Sequence, residues 1–243
     1  MRYTVLILSI LALATRAAGQ ASAPDSSFIQ TAQNQAIRLY ERSMYKQEHV
    51  FEGNEYIPHD HRIKIHPFFP VDSLQRGTIT YNGVYYHDIP MLYDVVRDEL
   101  AIQPPEGGYR VRPHTEKISN FSIDQHQFAR LVGDSALGVR TGFYEILYNG
   151  KVKVLAQRVK TVHEDISSGT YKADYLVKDR FYIQKEGAYH EVKSKGSVLS
   201  LFPDQAKALR KYLRSNKLKF NEEQREAAIT QATKRYEELT NTL

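Results

Sequence analysis

Phe143-Tyr144-Glu145-Ile146-Leu147-Tyr148-Asn149-Gly150-Lys151-Val152-Lys153-Val154-Leu155 is the stretch on which the fold turns. Two runs of strand-forming residues flank an Asn-Gly pair, and that pair adopts the positive φ angles of a tight hairpin loop at little cost. A two-residue loop at Asn149 and Gly150 predicts that Leu147 faces Val152 and Phe143 faces Ala156. The same texture recurs at Thr78-Ile79-Thr80-Tyr81-Asn82-Gly83-Val84-Tyr85-Tyr86, where a turn at Asn82 and Gly83 places Ile79 opposite Tyr86 and Tyr81 opposite Val84. Glu186-Gly187 marks a third hairpin, joining 180–185 to 188–193.

Outward from these hairpins, residues 89–102 fit two periods. Ile89, Leu92, Val96 and Leu100 suit a helix, whereas Ile89, Met91, Tyr93 and Val95 suit a strand. A strand is the better reading because the segment continues directly from the first hairpin. Pro104-Pro105-Glu106-Gly107-Gly108 is a loop, and 118–123 resumes strand alternation. Residues 28–45 predict a short N-terminal helix, and the C-terminal end predicts two more, at about 203–215 and 222–240. Leu209 and Leu213 turn inward on the first of that pair, and Asn216 is expected as its left-handed stop. The fold class expected is α+β: an antiparallel β-meander with a short N-terminal helix and a C-terminal helical pair packed on the sheet.

Composition agrees with a folded domain. The chain has 243 residues, 42% hydrophobic and 25% charged, with 17 Tyr and 10 Phe to fill a core. Thirteen Gly and nine Pro are too few for a low-complexity chain. Arg2 precedes an uncharged, mostly apolar run of ten residues, 5–14, followed by Ala17-Ala18-Gly19. A membrane-spanning helix needs about 20 apolar residues, so this pattern predicts a secretory signal peptide cleaved after Gly19. Residues 20–27 form a loose leader in this reading, and 28–243 a single β-rich domain. The formal charge of +5 falls to +3 once Arg2 and Arg16 are removed. Cysteine is absent, which excludes disulfides, thiol nucleophiles and Cys-ligated metals.

Three groups of residues invite chemistry. His59, His61 and His66 cluster in a proline-rich stretch and form the candidate metal set, since alternate strand residues share a face. Asp94 and Asp98 would share a strand face about 13 Å apart, too far for a retaining glycosidase pair. The third group is basic: residues 204–219 hold Lys207, Arg210, Lys211, Arg214, Lys217 and Lys219 against the single acid Asp204, a net of +5. Its plain reading is a solvated outer face opposite Leu209 and Leu213; its functional reading is contact with an anionic partner. There is no Gly-rich phosphate loop, no Gly-x-Ser-x-Gly and no His-Glu-x-x-His.

The export signal, the Tyr-Asn-Gly hairpins, Asp98-Glu99-Leu100 and the Lys-rich C-terminal helices together resemble uncharacterised exported proteins of the Gram-negative bacterial envelope. The resemblance implies an envelope setting and an antiparallel β-rich body, and it carries no activity. The expectation is therefore a periplasmic or secreted envelope protein, a binding or scaffolding module more than an enzyme, with no cofactor. Its expected partner is an envelope protein or an anionic envelope surface, not nucleic acid. The alternative is a periplasmic metal-dependent hydrolase built on the His59 to His66 loop.

Overall fold

The β-forming runs of the sequence assemble, in a computed structural model that describes residues 26–45, 49–63, 65–134, 136–165 and 172–241, into an antiparallel sheet of 12 strands. The expected signal peptide and residues 20–25 lie outside the described residues. The chain divides into two units at 47/48, and the first contributes helix α1, Ser26–Tyr45. That helix begins two residues before its expected start, inside the expected leader.

The second unit holds everything else. Its sheet begins with β1 (Gly53–Glu55), β2 (Phe68–Phe69), β3 (Gln75–Tyr81), β4 (Val84–Asp94), β5 (Glu99–Ile102) and β6 (Val111–Pro113). It continues with β7 (Ile118–Ile123), β8 (His126–Leu131), β9 (Gly142–Asn149) and β10 (Lys153–Gln157). A separate two-stranded ribbon, β11 (Lys160–Asp165) and β12 (Lys172–Val177), interrupts the order before β13 (Arg180–Lys185) and β14 (Ala188–Val192). The sheet order is β1-β6-β5-β4-β3-β7-β8-β9-β10-β13-β14, with β2 paired to β4. It is therefore two meanders joined edge to edge at β3 and β7, not the single meander expected.

The first hairpin forms as its residues dictate. Asn82 and Gly83 have φ of 50° and 77°, and Ile79 faces Tyr86 while Tyr81 faces Val84. The Glu186-Gly187 turn also has both residues at positive φ. The Asn149-Gly150 hairpin does not follow the rule. Neither residue is left-handed, Asn149 pairs with Lys153, and Tyr148 pairs with Val154, so the loop has three residues and the expected pairings of Leu147 with Val152 and Phe143 with Ala156 are both lost, Ala156 facing Glu145 instead. The cause is tertiary. The Glu237 carboxylate sits where a Cβ on Gly150 would be, accepting from the Val152 N–H at 2.7 Å and from the Tyr148 hydroxyl.

Residues 89–102 are strand, broken at 95–98 by a turn that the Asp98 φ of 58° completes. After β14 come three helices where two were expected: α2 (Lys195–Leu201), α3 (Ala206–Ser215) and α4 (Arg225–Asn241). Ser194 starts α2 with a capping box, its hydroxyl accepting from the Ser197 N–H. Pro203 lies in the turn before α3, so that helix starts three residues later than expected, and α4 also starts three residues late. Lys217 takes the left-handed conformation expected of Asn216. One core joins Val154, Ala156, Phe181 and Ile183 of the sheet to Leu209, Leu213, Ile229 and Tyr236 of the helices. A second is an aromatic cluster in which Phe121 stacks on Phe128 at 4.6 Å and meets Phe143 edge-on at 4.9 Å.

Candidate functional site

Asp94 ends β4, and its side chain organises the turn that follows. Oδ1 accepts the N–H groups of Val96 and Arg97 at 3.0 and 3.1 Å, the local bond that makes aspartate a turn former. Oδ2 points inward, where the Tyr56 hydroxyl donates at 2.9 Å and His59 Nε2 lies at 2.6 Å. Four donors thus converge on a carboxylate with no solvent exposure. The segment carrying Tyr56 and His59 is pinned by Arg97, which donates to the Ile57 carbonyl at 2.6 Å, and by the Tyr56 N–H, which donates to the Arg110 carbonyl at 2.8 Å.

The far side of His59 is closed by the ribbon. Tyr175 of β12, itself buried, places its hydroxyl 2.8 Å from His59 Nδ1. A carboxylate only accepts, so Nε2 carries the hydrogen given to Asp94; in the tautomer that leaves Nδ1 without a hydrogen, that nitrogen accepts the Tyr175 O–H. Lys160 of β11 docks the ribbon's base by donating to the His66 and Phe68 carbonyls, both at 2.8 Å. Burial pulls the Lys160 ammonium below its ordinary pKa, opposed by Asp179 and Asp94. Burial pushes the Tyr56 hydroxyl well up, and the Asp94 charge adds to the rise. His66 is lowered first by burial and then by Lys160, and among the described residues its Nδ1 has no hydrogen-bond partner.

A cavity of about 290 Å³ opens beside this network, lined by Tyr56, His59, Asp60, His61, Ile63, Ile65, His66, Phe68, Asp72, Arg110 and Tyr175 among others. The three histidines singled out from sequence therefore share one cavity, but they do not converge. Both nitrogens of His59 are hydrogen-bonded, the His61 side chain is 96% exposed, and among the described residues no three His, Asp or Glu side chains surround a common point. The Asp94–Asp98 pair also separates. Asp98 faces the other way across the turn, accepting from the Tyr93 hydroxyl at 2.6 Å and the Phe143 N–H at 3.1 Å.

A second polar cluster lies where β9 and β10 meet the ribbon. Glu145 accepts from Arg158 Nε at 2.6 Å and pairs with His126 Nδ1 at 2.5 Å. Arg158 also holds Asp179 and Glu226, each at 2.8 Å, and packs over the Phe69 ring. Burial pulls its guanidinium down, but Glu226, Glu145 and Asp179 outweigh that and raise its pKa.

The basic segment singled out from sequence falls on α3 and the turn after it. Leu209 and Leu213 are buried, while Lys207, Arg210, Lys211, Arg214 and Lys217 are all exposed. None of the ion pairs found among the described residues involves these five. No described helix is long and apolar enough to cross a membrane.

Tyr56, Asp94 and Tyr175 complete the His59 network, and sequence reasoning assigned none of them that part. Asp94 carried a signal, an aspartate opening a short turn before a second strand, but Tyr175 lies 116 residues from its partner and carried none. No protein family model, characterised protein or solved structure matches this chain.

Proposed function

We propose that the protein is an exported binding module of the cell envelope that docks on an anionic surface through α3. The observation that carries this reading is the set of five exposed cations on and just after a ten-residue helix whose apolar stripe is already used in the core. Arg158, which holds the fold together, is paired with three carboxylates; among the described residues these five are outside every ion pair found, and so remain available to an external charge. Each Lys or Arg held near an acidic membrane surface contributes about 1 kcal/mol, and the attraction fades over about 10 Å at 0.1 M salt. The signal-peptide pattern read in residues 1–19 supports the envelope setting by its charge and apolar run.

The test is the triple variant Lys207→Glu, Lys211→Glu, Arg214→Glu, with circular dichroism to verify the fold. Wild type is expected to sediment with vesicles of anionic phospholipid at low salt and to detach as salt rises. The variant is expected to lose at least about 3 kcal/mol of binding, one for each cation removed before repulsion by the new carboxylates is added, or more than about a hundredfold in affinity. Equal binding by the variant, or no wild-type binding at low salt, overturns the reading.

A further inference from the structure

The Tyr175–His59–Asp94 chain does more than fasten the ribbon to the sheet. A hydroxyl within hydrogen-bond reach of an imidazole, whose second nitrogen is fixed by a buried carboxylate, is the arrangement that activates a nucleophile. The distances are 2.8 Å from hydroxyl to Nδ1 and 2.6 Å from Nε2 to carboxylate. Asp94 is held by its three other donors, so the imidazole cannot swing without breaking a packed cluster. Tyr175 and His59 both face the 290 Å³ cavity.

We propose that Tyr175 is a nucleophile that cleaves small uncharged carboxylic esters, with His59 as its base and Asp94 as the positioning residue. This goes beyond the docking role of α3 and does not rest on it. The Tyr175 oxygen attacks the ester carbonyl carbon as its proton passes to His59 Nδ1. The acyl–oxygen bond to the alcohol then breaks, and the same proton leaves on that alcohol. Water attacks the resulting acyl-tyrosine, gives one proton to His59, and releases the acid; Tyr175 recovers its proton from the imidazole. The sum is ester plus water giving acid plus alcohol.

The cavity decides the substrate class. Its volume lies at the lower end for small-molecule sites, and Ile63, Ile65 and Phe68 supply apolar wall for a short acyl chain. Asp72 lines the same space and disfavours phosphate esters, Asp60 being paired with Arg62, and Arg110 brings one positive charge to the wall.

The experiment uses the full chain with p-nitrophenyl butyrate as substrate and phenylmethanesulfonyl fluoride as covalent probe. The expected result is saturable release of p-nitrophenol and a sulfonyl adduct that tandem mass spectrometry places on Tyr175. Tyr175→Phe keeps the ring in its packing and is expected to abolish both adduct and turnover without loss of fold. His59→Gln is expected to slow the labelling of Tyr175 about a hundredfold, the usual contribution of a positioned base. If that variant does not fold, protection of wild-type Tyr175 from the probe by butyrate ester decides instead. Absence of a Tyr175 adduct, turnover unchanged in Tyr175→Phe, or labelling that butyrate ester does not slow overturns the proposal.

Discussion

The two ends of the β9–β10 hairpin bury carboxylates of nearly equal exposure, 4% for Glu145 and 7% for Glu237, by opposite means. Glu145 is closed by a cation, Arg158, on one oxygen and by the His126 ring on the other, with Asp179 and Glu226 sharing the guanidinium. Glu237 is closed by neutral donors, the Val152 N–H and the Tyr148 hydroxyl, the latter raised in pKa by that bond. The difference teaches where rigidity comes from in this fold. At the first end several elements depend on one cation, and at the second a helix carboxylate sets the shape of a loop.

The largest effect is expected from breaking the charged end. Arg158→Leu leaves Glu145 buried beside His126 and strands Asp179, which also accepts from the Val159 N–H at 3.0 Å. Removing one partner of a buried ion pair costs about 3–5 kcal/mol. Urea denaturation is the measurement, and a loss within 1 kcal/mol of wild type contradicts the assignment. Because the Arg158–Glu145 pair is buried, its share of the loss is expected to change little between low and high salt, while the share from Glu226, 40% exposed, is screened.

The neutral end makes a smaller but more specific prediction. Gly150→Ala forces the Glu237 carboxylate aside and gives up two hydrogen bonds, at about 1–3 kcal/mol. Gly83→Ala is the counterpart in the other Asn-Gly hairpin. Open space surrounds Gly83, so its cost of about 1 kcal/mol comes from the φ of 77° alone. In a Glu237→Ala background, the Gly150→Ala penalty is expected to vanish while the Gly83→Ala penalty persists. Equal penalties for Gly150→Ala in both backgrounds would return control of the loop to local backbone preference.

The same contrast explains what was legible in the sequence. Asn82-Gly83 and Glu186-Gly187 close turns within their own residues, so the rule for short hairpins located both and set their pairing. Asn149-Gly150 carries the stronger apolar flanks, yet its register answers to Glu237, a residue 87 positions beyond Gly150 that no local pattern ties to it. The candidate site divides along the same line. The basic face of α3 follows from helical periodicity, so Lys207 to Lys217 were found together. His59 was found only as part of a histidine cluster, because Asp94 and Tyr175 reach it from β4 and the ribbon. Short α2 was missed since its signal is a serine pair, Ser194 and Ser197, in place of the usual Glu or Gln.

Asp98 tests a third way of burying a carboxylate, and its expected effect is the smallest. It lies at the charged end, with its carboxylate where a Cβ on Gly142 would be, but its hydrogen bonds come from neutral groups, Tyr93 and the Phe143 N–H. Burial raises its pKa above the ordinary carboxylate value; the two hydrogen bonds and Arg130 oppose that rise without cancelling it. A carboxyl that binds its proton more tightly folded than unfolded stabilises the fold most in acid, below its unfolded value. That contribution declines as pH rises through the folded value. Asp98→Asn removes the titration while keeping an acceptor for the Phe143 N–H, so the variant is expected to show a weaker fall in stability from about pH 3 to about pH 7 than wild type. The difference between the two curves isolates this one group, since Arg158, with its pKa raised, stays charged throughout. Parallel curves would mean that two neutral donors suffice to ionise a carboxylate at this end of the hairpin, and that the guanidinium beside Glu145 is not needed for burial as such.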